Sequence, residues 1–206
     1  MSNVRYPPGT KARTRERILA SARRALRTGG LRGASVAGVM QGAGLTVGGF
    51  YAHFASKQEL LGEALRSFMR SARARWLDGL GDLRGQALVD AFLARYLGAE
   101  NRDSLQRGCL LPSVASELGL RQSPSARVFA EELEALVAAM APGLGPGSAR
   151  ERRDRALAVV AAAVGALTLA RALRETPLSD HVLRATRAFF HEGIAVRRTA
   201  GAATDD

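Results

Sequence analysis

The sequence predicts an all-α fold of about nine helices. Two short helices braced by a first helix make an N-terminal three-helix helix-turn-helix unit, and a longer helical C-terminal domain follows. Three observations carry this. Apolar residues recur at i, i+3, i+4 and i+7 along the chain, and no run alternates convincingly enough for a strand. Helix-start residues and glycine or proline stops cut the first sixty residues into short pieces and the rest into long ones. The charge of +11 is uneven: residues 1–67 hold eleven basic side chains against Glu16, Glu59 and Glu63, so most of the excess sits in that third of the 206 residues.

A lead over residues 1–9, with Pro7-Pro8-Gly9, is expected to be disordered, and Thr10 is placed as the cap of the first helix. That helix puts Ile18, Ala22, Ala25 and Leu26 on one face and stops near Thr28 at Gly29-Gly30. Ser35 caps a second helix, Val36 to about Gly42, with Val36, Val39 and Met40 facing inward. Ala43-Gly44-Leu45 is a tight turn, and Thr46 caps a third helix from Val47 to Phe54.

Gly48 and Gly49 in the first turn of that helix are unexpected, since glycine costs a helix interior roughly 1 kcal/mol against alanine. Close approach of bare backbone to a surface such as the DNA major groove would justify them. Phe50 and Phe54, four apart, then face inward, while Tyr51 and His53 point the other way, toward phosphates.

Ser56 opens a fourth helix through a capping box with Glu59 and carries Leu60, Leu61, Leu65, Phe68, Met69 and Trp76 toward about Leu80. Further helices are expected at about 87–100, 108–118, 123–140, 149–174 and 179–197. The domain boundaries that follow are 10–56 for the DNA-binding unit, 57–198 for the helical regulatory and dimerisation part, and 199–206 for a flexible tail.

Several function classes fall away. The longest apolar run, Ala156–Ala170, is shorter than the ~20 residues of a membrane span, so no span is expected and the preferred reading has no membrane partner. The N-terminus has no apolar core of a secretory signal, and the single cysteine, Cys109, suits a reducing cytoplasm. His53, His181 and His191 do not cluster as metal ligands. Neither a nucleophile–base pair nor a phosphate-cradling loop is present, so no catalysis, metal or cofactor is expected. A basic end of this kind suits a polyanion, nucleic acid first.

The runs TRERILASA, GASVAGV and AGLTVGGFYAHFASKQELL resemble the DNA-binding domain of the TetR family of one-component transcriptional regulators. The resemblance covers residues 10–61, a quarter of the chain. It implies a homodimer on a palindromic operator in double-stranded DNA, released by a small-molecule effector held among the central helices. By position, Thr46 and Gly48 begin the recognition helix, Tyr51 and His53 meet phosphate or base, and Lys57 sits where a helix N-terminus can hold a phosphate. Val47 and Gly49 depart from the family's usual lysine and hydroxyl or alanine, and valine can touch a thymine methyl instead. Gln41 and Ser35 in and before the second helix complete the candidate DNA contacts.

Two further sets follow. The eighth helix is apolar nearly all round, so a second face asks for a partner helix: Leu157, Val160, Ala161, Val164, Leu167 and Thr168, joined by Val182, Ala185 and Phe189 of the ninth. Trp76, Phe92, Tyr96, Leu110, Val114, Phe129, Leu133 and Met140 are the candidate lining of a mostly apolar effector site, with Tyr96 or Arg95 to orient the ligand.

Cys109 in RGCLLP is read first as a small buried apolar residue; the alternative is a reactive thiol whose pKa falls near a helix start beside Arg107. The sequence therefore leaves three readings: an effector-released repressor, a redox or electrophile sensor acting through Cys109, and a basic module binding nucleic acid or membrane surface nonspecifically.

Overall fold

The computed structural model describes residues 9–104, 108–119 and 124–201; the lead before Gly9, Arg107, Ser123 and the tail after Gly201 lie outside these. Among the described residues the chain forms α1 (Thr10–Gly33), α2 (Val36–Gly42), a 3-10 helix (Val47–Ala52), α3 (Lys57–Leu77), α4 (Gln86–Tyr96) and α5 (Ala99–Asp103). Then follow α6 (Leu111–Gly119), α7 (Pro124–Met140), a 3-10 turn (Ala141–Gly143), α8 (Ala149–Ala172) and α9 (Pro177–Gly201), and no strand occurs among the described residues. The all-α expectation holds.

Local departures have local causes. The first helix does break at the glycine pair, where Gly30 adopts φ 63°, but one more turn carries it to Gly33. Gly9, in the left-handed region, takes the cap position expected of Thr10. Val47–Ala52 is a 3-10 helix: its i→i+3 bonds run from Gly49 N to Thr46 O at 3.2 Å and from His53 N to Phe50 O at 2.9 Å. Thr46 makes no side-chain cap bond, and two glycines leave the turn without the α-propensity to hold a longer ladder. The expected helix over 87–100 divides at Gly98, whose extended backbone (ψ 157°) starts α5 afresh.

Two compact units result. One comprises the described residues of Met1–Met69 and Ser113–Ala130, the other Arg70–Pro112 and Glu131–Asp206. The first unit buries Ile18, Ala22 and Leu26 of α1 with Val39 and Met40 of α2, Phe50, Phe54, and Leu60 and Leu65 of α3. In the second, α9 packs on α8 and on α4, over a core that includes Trp76, Val89, Phe92, Tyr96, Val159 and Leu183. Ser148 caps α8 through a full capping box with Glu151.

Helix α8 is long and apolar enough to cross a membrane by length and composition alone, with a mean hydropathy of 1.6. Its Ala156, Val159, Val160, Ala163, Ala166, Leu167 and Ala170 are buried, which is how a core helix meets the same criterion. This corrects two interface residues: Val160 and Leu167 are 2% and 0% exposed, so they pack inside their own chain and are unavailable to a partner. Leu157, Val164 and Val182 are half-buried, while Ala161, Thr168, Ala185 and Phe189 are exposed.

Candidate nucleic-acid interface

Helix α2 owes its placement to α1. Arg17 Nη2 donates to the Ala43 carbonyl at 2.6 Å and Arg24 Nη2 to that of Gly42 at 3.0 Å, so two guanidinium groups satisfy the open carbonyl end of α2. The helices meet closely at Gly42, where a Cβ would lie 2.5 Å from Ser21 Oγ. At the other end Ser35 Oγ accepts from Gly38 N at 3.0 Å, the expected cap. Gly44, at φ 67°, then turns the chain toward the 3-10 segment.

That segment is anchored from beneath. Phe50 and Phe54 are fully buried and stacked at 5.8 Å between centroids. Arg15 lies 4.5 Å over the Phe54 ring and pairs with Glu63. Above this base stand the predicted contacts: Thr46 and Gly48 are exposed, Val47 is 49% exposed and Tyr51 75%. Gln41 of α2 and its capping residue Ser35 are exposed, and Gly49 and Lys57 are half-buried. A Cβ at Gly48 would meet nothing within 4 Å, and one at Gly49 only Met40 Cε at 3.9 Å. Among the described residues nothing crowds these two positions, so no close packing within the chain accounts for the glycines.

His53 differs from its expectation. It is half-buried, and its Nδ1 is buried with no hydrogen-bond partner among the described residues. Burial holds its pKa below the ordinary histidine value, and the charges of Lys11 and Arg15 push the same way. The imidazole is therefore neutral at neutral pH, and only its other nitrogen is left for an outward contact. At the start of α3, Glu59 N donates to Ser56 Oγ at 3.1 Å, and Ala55 N donates to the Glu59 carboxylate at 2.6 Å, one residue earlier than a strict capping box.

Sequence reasoning missed the structural duty of Arg15, Arg17 and Arg24. A guanidinium spent on a carbonyl cap or a ring face looks in sequence like any solvated cation.

The sequence model for "Bacterial regulatory proteins, tetR family" matches residues 18–64, the span from mid-α1 into α3. Residues 18–64 are a TetR-family N-terminal domain. Among solved structures, E. coli NemR in its reduced form is similar at TM-score 0.71 and 21% identity, over 87% of this chain and 96% of that one. A putative TetR-family transcriptional regulator from Rhodococcus sp. is similar at 0.68 and 20%, over 90% and 98%. A TetR transcriptional regulator from Chloroflexus aurantiacus is similar at 0.64 and 27%, over 87% and 94%. No curated protein matches the chain. The likeness in fold thus covers most of the chain, beyond the matched residues 18–64.

In that C-terminal part the structure brings three of the predicted effector residues together. Tyr96 meets Trp76 edge-on at 4.8 Å and stacks on Phe92 at 5.6 Å, all fully buried. Leu110 and Met140 are buried in the same second unit and Leu133 is half-buried there, while Val114 and Phe129 fall in the first unit. Arg95 is no ligand clamp. Its Nη1 donates to the carbonyls of Arg75, Trp76 and Asp78 at 2.9, 3.1 and 2.7 Å, closing the C-terminal end of α3.

Cys109 takes the buried role read first for it rather than the reactive one. The thiol is buried, accepts from Tyr96 Oη at 3.0 Å and from Leu111 N at 3.4 Å, and burial pushes its pKa up to about 11. Asn101 accepts from Cys109 N at 2.6 Å and donates to Tyr96 O at 2.7 Å, while Arg171 binds the carbonyls of Cys109 and Asn101, each at 2.6 Å. Gly108 is required there, since a Cβ would sit 2.4 Å from Arg171 Nη2 and 2.5 Å from Ser104 O. The GC pair builds a buried polar knot.

Proposed function

We propose that this chain is a homodimeric transcriptional repressor that reads a palindromic operator with the Val47–Ala52 segment and releases it when a mostly apolar effector binds the C-terminal domain. One observation carries the reading. Exposed Thr46, Val47, Gly48 and Tyr51 project from a base locked by Phe50, Phe54 and Arg15, with Lys57 and the exposed cations Lys11 and Arg13 in the same unit. Rigid backing, an outward hydroxyl and cations are what phosphate positioning and groove readout require.

Dimerisation is supported by the exposed stripe Ala158, Ala161, Gly165, Thr168 and Ala172 on α8, with Leu169, Leu178 and Phe189 exposed at 55%, 51% and 70%. Small residues on such a stripe let a second helix pair approach closely. The effector site is placed at the Trp76–Tyr96–Phe92 stack with Leu110, Leu133 and Met140. A thiolate-based sensor is the less favoured reading, because the Cys109 thiol is buried with its pKa raised.

Footprinting on the gene's own upstream region tests the proposal. A protected site with two half-sites about one helical turn apart is expected. It should survive competition by scrambled DNA at salt where scrambled DNA is released. Replacing Tyr51 by Phe should weaken that site about tenfold, through loss of a bond to charged phosphate. Equal retention of scrambled and upstream duplex would leave only a nonspecific basic module.

A further inference from the structure

Gly30 interrupts α1 at φ 63°, ψ −161°, a backbone region open essentially to glycine alone. The residue is buried, and what occupies the side-chain position it lacks is the carboxylate of Glu117 on α6. A Cβ at Gly30 would lie 1.7 Å from Glu117 Oε1 and 2.8 Å from its Cδ. The other oxygen, Oε2, accepts from Arg32 N at 2.9 Å. The glycine therefore opens a seat for one oxygen, and the next turn supplies an amide for the second.

We propose that Glu117 is a positioning residue for DNA reading: its carboxylate, seated at Gly30 and on the Arg32 amide, fixes the C-terminal end of α1 and with it the brace on which the reader leans. This rests on the regulator reading above. Helix α1 carries the two arginines that close α2, Arg17 and Arg24, and the buried Ile18, Ala22 and Leu26. Whatever fixes α1 limits the orientations available to the reader. Two readers on successive turns of one duplex need that restriction, whereas loose attraction to phosphates does not. Glu117 lies 85 residues along the chain from Arg32, so the contact ties the segment Ser113–Ala130 to the N-terminal helices within one unit.

The test uses the full chain and its E117A and E117Q variants. Three quantities are measured: hydrogen exchange at the Arg32 amide, affinity for the upstream duplex against a scrambled one, and melting temperature. In E117A, exchange at Arg32 should quicken roughly tenfold, as expected when a bond to a charged acceptor is lost. Affinity for the upstream duplex should fall about tenfold and that for the scrambled duplex should hold within about twofold. E117Q keeps an acceptor oxygen and should recover a large part of both.

Unchanged protection at Arg32 overturns the proposal. So does a lowered melting temperature with unchanged duplex affinity, or an equal loss on both duplexes, since either marks a merely structural contact. Failure of the regulator reading is seen separately, in the wild type: no preference for the upstream duplex would remove the positioning role with it, whatever the exchange result.

Discussion

At His53 burial disfavours the charged imidazole. Its folded pKa lies below the ordinary histidine value of 6.5, first through burial and then through Lys11 and Arg15. The unfolded chain therefore binds the extra proton first, and stability rises with pH across the window between the two pKa values. Below that window the benefit is gone. Thermal melts of wild type and H53Q should run parallel above pH 6.5 and diverge as the pH falls beneath it, with the wild type losing more. A constant difference at all pH values would contradict this. Cys109 makes the complementary case: with its pKa near 11, almost no thiolate exists at neutral pH. Iodoacetamide should alkylate the native protein at least about a hundredfold more slowly than a free cysteine of pKa ≈ 8.5, and at the free rate once denatured.

The helices of the reader are set by contacts as much as by propensity. Gly42 ends α2 against Ser21 of α1, with a Cβ due 2.5 Å from Ser21 Oγ but 3.8 Å from Ser21 Cβ. Gly42→Ala should therefore destabilise by about 1–3 kcal/mol through overpacking. Adding Ser21→Ala removes the obstructing oxygen and should recover most of that loss, because the remaining contact is ordinary. Denaturant titration of the four-member cycle reads the coupling directly, and simple additivity would count against it. The helix start signals were legible in sequence where side chain meets local backbone, as at Ser35 and Ser56. They failed at Thr46, because a glycine pair cannot sustain the α-turn that such a cap serves.

For the molecule as a whole the decisive quantity is association. If α8 and α9 build the dimer, F189D should yield a monomer by light scattering, since its ring is 70% exposed and packs little within its own chain. The monomer should keep its helix content but lose operator preference at least about a hundredfold, as the second half-site no longer benefits from effective concentration. A dimer that survives F189D, Ala161→Glu and Thr168→Glu together would place the interface elsewhere.

Periodicity, caps and glycine stops determined the helical class, the helix-turn-helix order and the outward Tyr51, because those properties live within a few residues of chain, while Thr46, Val47 and Gly48 were marked by the family resemblance. Tertiary structure alone decided which faces of an all-apolar helix remain free: Val160 and Leu167 could not be told from Ala161 and Thr168 by spacing when every side of α8 was greasy. It also decided which cations are spent. Arg15, Arg17 and Arg24 are committed to a ring, an acid and two carbonyls far along the chain, and Glu117 to an amide 85 residues away. Contacts between distant residues leave no local period, so only folding reveals them.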